Sequence, residues 1–157
     1  MAGRMDVIVR PVEPWEIDDY FAMMEPYHRE LDIYDPYAAE SHGTDEAYRA
    51  AVLADMEGRE LLWIEANGIR AGFAMVRVDA DWPDESRNVA SIAEFYVSPA
   101  FRRHGVGRAA VEAILADHRE RGTFEVEAGI LRDNSAAIAF WARMGFELRF
   151  YQTARRP

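Results

Sequence analysis

The stretch EFYVSPAFRRHGVGRAAVEAILADHRERG, residues 94–122, constrains the fold more than any other part of the chain. The run VASIAEFYV (89–97) reads as a strand, closed off by Pro99. From Gly105 to Gly122 the residues Val106, Ala110, Val111 and Ile114 share one helical stripe, which predicts a helix over 105–122. Between strand and helix lies RRHGVG. Two glycines two apart at such a junction can present successive backbone N–H groups with no side chain in the way, and the helix N-terminus adds partial positive charge. That combination suits a phosphate. Arg102, Arg103 and Arg108 add forked donors matched to phosphate oxygens. No Gly-Lys-Ser/Thr follows, so the segment is not a P-loop. It also lacks the third glycine of a dinucleotide fingerprint and comes late in the chain. The plainer alternative is a basic turn whose glycines serve only the chain reversal.

The rest of the chain alternates around this unit. DVIVRP (6–11) reads as a first strand. A helix over 13–31 opens at Pro14, with Trp15, Ile17, Tyr20, Phe21 and Met24 as its apolar stripe, and is expected to end or kink at Pro26. Residues 31–43 are irregular, with turn chemistry at Asp35-Pro36 and Gly43, and Thr44 caps a second helix over 44–58. Asn67-Gly68 joins the apolar runs 60–66 and 69–79, a strong hairpin signal. A polar loop spans 80–88; beyond the glycine turn come a strand over 123–131, a helix over 134–145 with Asn134 near its cap, and a last strand over 146–154. The order β-α-α-β-β-β-α-β-α-β, with no repeat or linker, predicts one α/β (α+β) domain over 1–157.

Composition removes several function classes. The absence of cysteine excludes disulfides, thiolate metal sites and a cysteine nucleophile. A net charge of −10, from 28 acidic against 18 basic residues, argues against nucleic-acid partners. His28, His42, His104 and His118 show no ligand spacing, so no metal site is expected. No apolar run approaches the roughly 20 residues of a membrane span. The opening residues lack the apolar core of a signal peptide. A soluble, cytoplasmic protein without a membrane partner is the expectation.

VSPAFRRHGVGRAAVEAIL resembles the signature of the GNAT superfamily of acyl-CoA N-acyltransferases: a strand ending in Val-x-Pro, then Arg/Gln-x-x-Gly-x-Gly/Ala opening a helix. Val97, Pro99, Arg102, Gly105 and Gly107 carry it here. DNSAAIAFWARMGFE is similar to the family's N-x-x-A-x-x-F/L-Y-x-x-x-G-F segment through Asn134, Ala137, Phe140, Gly145 and Phe146, and IVRPVEPWEIDDYF is similar to its opening strand and helix. The resemblance implies a mixed, mostly antiparallel central sheet of six to seven strands with about four helices on its faces, and acetyl-CoA as co-substrate. It implies that Arg102, Arg103, His104, Gly105, Val106, Gly107 and Arg108 hold the pyrophosphate. The main chain of Phe95, Tyr96 and Val97 would pair with the pantetheine amides, one N–H pointing at the acetyl oxygen. Asn134, Phe140 and Trp141 would lie beside the cofactor.

Acyl transfer from a thioester to an amine needs a neutral amine, a polarised carbonyl and a proton for the leaving thiolate. Glu94, a carboxylate inside an otherwise apolar strand, is the first choice for the base. The alternative is that it faces solvent or pairs with an arginine such as Arg103. Glu127 is a second candidate, on one strand face with Glu125 and Gly129. Many members of the family carry a tyrosine as the acid where this chain has Trp141, whose indole N–H is no useful proton source. Tyr96, Tyr151 and Tyr34 are the replacements, or the thiolate leaves unassisted.

The resemblance assigns acceptor choice to the 27–43 connection and the 79–86 loop. These hold Glu30, Asp32, Asp35, Glu40, Asp79, Asp81, Asp84 and Glu85, with Tyr34, Tyr37 and Trp82 among them. Carboxylates with aromatics suit a cationic amine, such as a small polyamine, an amino sugar or a lysine-like amine. The leading expectation is an N-acetyltransferase acting on a small primary amine by direct attack in a ternary complex. The alternatives are a non-catalytic acyl-CoA-binding or partner-docking module, and a protein N-terminal or lysine acetyltransferase. A homodimer stays open.

Overall fold

The computed structural model describes residues 3–37, 40 and 42–157; positions 1, 2, 38, 39 and 41, the last three within the connection read as irregular, lie outside the described residues. The elements run β1 (Val7–Pro11), a 3-10 turn (Pro14–Glu16), α1 (Ile17–Asp32), α2 (Asp45–Ala54), β2 (Arg59–Ala66), β3 (Ile69–Ala80), β4 (Asn88–Val97), a second 3-10 turn (Pro99–Phe101), α3 (Val106–Glu120), β5 (Glu125–Ala128) and α4 (Ser135–Arg143). The strands lie in the order β1-β2-β3-β4-β5. All pairs are antiparallel except β4–β5, which is parallel. Asn67 and Gly68 both take positive φ, 51° and 77°, the two-residue turn whose twist matches the flanking strands.

The sheet is covered on both faces, which is why its central strands read as near-continuous apolar runs. One face packs Leu61, Trp63, Phe73, Met75 and Tyr96 against Tyr20, Phe21, Met24 and Tyr27 of α1 and Val52 of α2. The other packs Ala74, Val76, Ala90 and Ile92 against Val111 and Ile114 of α3 and Trp141 of α4. Each large side chain so buried contributes about 1.5–3 kcal/mol.

The start of α1 is pinned to the sheet by one carboxylate. Glu16 is buried, and its oxygens accept from Arg10 at 2.8 and 2.9 Å, Arg70 Nη2 at 2.8 Å, Trp63 Nε1 at 3.1 Å and the Glu13 amide at 2.9 Å. The Arg10 guanidinium above all, then the Glu13 amide, holds this carboxyl well below the usual carboxylate range.

Two expectations need correction. Pro26 neither ends nor breaks α1, which runs on to Asp32. Burial of Tyr27 and His28 immediately after it outweighs the one helical hydrogen bond that a proline cannot donate. The sheet has five strands rather than six to seven among the described residues. The segment 146–154 forms no ladder: Leu148, Phe150 and Tyr151 are largely exposed, and Arg149 Nη1 ties it to Glu125 Oε2 at 2.7 Å. Strand propensity needs a facing neighbour to be realised.

Candidate active site

A β-bulge sets the chemistry of β4. Met75 pairs with Glu94 but Val76 pairs with Ile92, so Ala93 is an extra residue without an opposite number. Side chains alternate along a strand, and one inserted residue reverses the phase. Ala90 and Ile92 therefore face α3 and α4, whereas Tyr96 beyond the bulge faces α1. Glu94 shares that second face, where two tyrosines from different helices meet it. Tyr48 of α2 donates its hydroxyl to Glu94 Oε1 at 2.7 Å, and Tyr27 of α1 donates to Oε2. Burial first, and the Glu94 charge next, push both phenols above their ordinary range, so both remain O–H donors.

Beside Tyr48 lies a second polar cluster, whose two histidines line the same cleft as Glu94. His28 stands edge-on to Tyr48 with ring centroids 4.7 Å apart and stacks on His42 at 4.3 Å. His28 Nδ1 is 3.0 Å from Asp45 Oδ1, and His42 Nε2 is 3.1 Å from Asp32 Oδ1. His42 Nδ1 is buried with no hydrogen-bond partner among the described residues.

The opposite side of the cleft is built by strand divergence. The β4–β5 ladder ends at Ile92 and Ala128, while β4 continues along β3 to Val97. One edge of residues 93–97 is thus left without a ladder partner among the described residues. A cleft of about 940 Å³ fills the gap, reached by Glu94, Phe95, Val97, Gly129, Leu131 and the turn before α3. Gly105 takes φ of 77° as the residue preceding α3, and a Cβ there would meet nothing within 4 Å, so its backbone is open. A Cβ on Gly107 would stand 3.3 Å from the Phe140 ring, so this glycine lets α3 approach α4.

The residues singled out in the sequence divide as follows. Glu94, Phe95, Tyr96, Val97, Arg102, Arg103, Gly105, Val106, Gly107, Arg108, Asn134, Phe140 and Trp141 all line the one cleft, and His104 is exposed outside it. Several have other engagements. Val106 turns its side chain into the core, leaving only its backbone for the cleft. The Val97 carbonyl accepts from Arg102 Nε at 2.7 Å. Arg108 pairs with Glu112 at 3.0 Å. Asn134 caps α4 by accepting from the Ala137 amide at 3.1 Å. Trp141 is buried edge-on against Phe95, Phe140 and Phe146.

Glu94 meets tyrosines rather than Arg103, contrary to the alternative weighed for it. Glu127 accepts from Ser91 Oγ at 2.6 Å, Tyr151 is exposed, and neither lines the cleft. Of the acidic positions named for the acceptor, Glu30 and Asp35 line the cleft with Tyr34. Asp81 and Asp84 instead pair with Arg87.

Sequence reasoning missed Tyr27, Tyr48 and the histidine pair. Their only signal was helical spacing: Tyr20, Met24 and Tyr27 extend one stripe of α1 past Pro26. Far from the cleft, Glu60, Asp117 and His118 bring potential ligand atoms within 4.8 Å of one another, but the Arg121 guanidinium already bonds both carboxylates.

Among the described residues a five-stranded mixed sheet, a bulged β4 that splays from β5, and a glycine turn opening a helix define the acetyltransferase-like class of α/β folds. The acetyltransferase (GNAT) family model matches residues 15–146, and the chain belongs to that family. It is 30% identical over 141 residues to an uncharacterized N-acetyltransferase of Methanocaldococcus jannaschii, covering 88% of this chain and 60% of that protein. It is 36% identical over 97 residues to an aminoglycoside N(6')-acetyltransferase type 1 of Stenotrophomonas maltophilia, covering 60% of this chain and 63% of that one. The match therefore spans less than two thirds of either curated relative. An aminoglycoside N-acetyltransferase solved in complex with CoA superposes with a TM-score of 0.71 at 16% identity, covering 100% of this chain and 98% of that one, a likeness of fold.

Proposed function

We propose that the chain is a single acetyltransferase domain that moves the acetyl group of acetyl-CoA to a primary, cationic amine. The observation that carries this reading is one cleft that takes in a tyrosine-held carboxylate, Glu94, the edge of β4 left without a ladder partner among the described residues, and the open Gly105 turn. Those features fit the co-substrate. The free main-chain edge can pair with its amides, and the backbone and arginines of the turn can take its phosphates.

The amine nitrogen attacks the thioester carbon directly and the carbon–sulfur bond breaks; the chain has no cysteine to form an acyl-cysteine intermediate. Glu94 takes the proton lost by the amine, directly or through one water. Tyr27 and Tyr48 each hold one carboxylate oxygen, which fixes its orientation. Trp141 packs edge-on among Phe95, Phe140 and Phe146, and its indole N–H is no useful proton source. Tyr96 and Tyr34 are the cleft tyrosines that can return a proton to the thiolate. Glu30, Asp35, Tyr34 and Tyr48 make the acceptor wall acidic and aromatic, which favours a cation.

Calorimetric titration with acetyl-CoA, with ATP and NADH as controls, tests the co-substrate. Micromolar binding of acetyl-CoA alone is expected, followed by turnover in a panel of polyamines, amino sugars, lysine and a peptide N-terminus. A protein that binds no acyl-CoA would sink the proposal.

A further inference from the structure

The arginine that opens the glycine turn is already engaged. Arg102 Nη2 lies 2.8 and 2.7 Å from the two oxygens of Glu30, in the last turns of α1. Its Nε donates to the Val97 carbonyl at 2.7 Å, and its guanidinium carbon stands 5.5 Å from the centre of the Tyr96 ring. One guanidinium thus bridges the two walls of the cleft: the turn suited to phosphate, and the helix that carries the acceptor-side carboxylates.

The pair is weakly held. Arg102 is 42% exposed and Glu30 39% exposed, and ion pairs this open to water contribute little. A phosphate offers the same planar fork more negative charge and more acceptor oxygens than a carboxylate does. Glu30 and a phosphate at the turn therefore compete for one guanidinium. When the phosphate takes it, the Glu30 carboxylate is left lining the cleft with Tyr34 and Asp35, paired to no other cation among the described residues.

We propose that Glu30 is the carboxylate that receives the cationic acceptor, and that it becomes available only when the phosphates of the co-substrate draw Arg102 away. The carboxylate for the amine is then freed by the first ligand, and the two ligands are coupled through one guanidinium. By reciprocity, an amine on Glu30 strengthens co-substrate binding by the same factor. This inference rests on the proposed function, since it needs a phosphate-bearing ligand in the cleft.

The test is a double-mutant cycle read by CoA affinity in calorimetry. Both side chains are half-exposed, so Glu30→Gln, Arg102→Met and the double variant are expected to fold, which circular dichroism checks. Glu30→Gln should bind CoA about threefold more tightly than the unaltered protein, the order expected for losing a surface pair. Loss of an acid near an anion gives some gain by general electrostatics alone, and the Arg102→Met background separates the two causes. There the Glu30 substitution should change CoA affinity by a small fraction of that factor. Spermidine, used as a probe cation, should bind the CoA complex of the unaltered protein more tightly than that of Glu30→Gln.

Unchanged CoA affinity in Glu30→Gln would overturn the competition, as would a gain of equal size without Arg102. Equal spermidine affinity in the two CoA complexes would overturn the acceptor assignment. Failure of the unaltered protein to bind CoA at all is a different result, and it removes the proposed function itself.

Discussion

The Tyr48 hydroxyl stands 2.7 Å from Glu94 Oε1 although 46 residues separate the two in the chain. Tyr48 comes from α2 and Glu94 from the strand past the bulge, so the contact exists only if helix packing and strand phase are both right. It holds the carboxylate in the cleft that opens where β4 and β5 part.

Glu94→Gln should lower kcat/KM about 100-fold or more, the usual weight of a positioned base. Acetyl-CoA affinity should stay within about twofold, since the lost group acts on the amine's proton. Parallel calorimetry and steady-state kinetics check this. A variant that retains turnover would remove Glu94 from the mechanism.

Tyr48→Phe deletes one donor to a half-buried carboxylate. Hydrogen bonds to charged groups contribute about 1.5–3 kcal/mol, so urea denaturation should show a loss of about 2 kcal/mol. Activity should fall as well, because Glu94 would then be oriented by Tyr27 alone.

Gly105→Ala places a side chain at φ of 77° and at the open turn before α3. The strain of about 1 kcal/mol should lower Tm by about 2–4 °C. Gly122, at φ of 73° beyond the far end of α3, is the control: Gly122→Ala should cost similar stability. CoA affinity should fall only in the Gly105 variant, and equal affinities would show that the turn does not hold the ligand.

Glu16 makes stability depend on pH in a defined window. Its folded-state value lies below its unfolded one, chiefly through Arg10. Its stabilising contribution is therefore complete above about pH 4.3, the ordinary glutamate value, and is lost as pH falls toward the depressed folded value. Glu16→Gln should be less stable than the unaltered protein at neutral pH, with the gap narrowing as pH drops below about 4. A constant gap in urea midpoints across that range would contradict the linkage.

The buried tyrosines act at the other end of the scale. Burial raises Tyr20, Tyr27 and Tyr48 above their ordinary value, so the unfolded chain loses those protons first. Stability should hold below about pH 10 and decline above it, as unfolded phenols ionise while the folded ones do not. Alkaline melts should show this decline, and Tyr20→Phe should flatten it.

Much of the fold is legible in the sequence because the signals are local. Asn67-Gly68 predicts its hairpin through the positive φ both residues take, and Thr44 predicts a cap that its side chain makes to Ala47 at 3.1 Å. The glycine turn and the aromatic segment of α4 are recognisable for the same reason. The final segment misled because its apolar content was real but, among the described residues, its backbone joins no ladder and its large side chains stay exposed.

By itself the sequence determined the strand–turn–helix unit, the helix caps, the hairpin and the presence of one carboxylate in an apolar strand. All of these depend on neighbours a few residues apart. Only the tertiary structure decided which way that carboxylate points and what meets it. The phase of β4 turns on an extra residue, Ala93, visible only against the register of β3. Tyr27, Tyr48 and the Arg102–Glu30 bridge join residues 46 to 72 positions apart. Contacts of that range follow from how helices settle on a twisted sheet, and no pattern along the chain encodes them pair by pair.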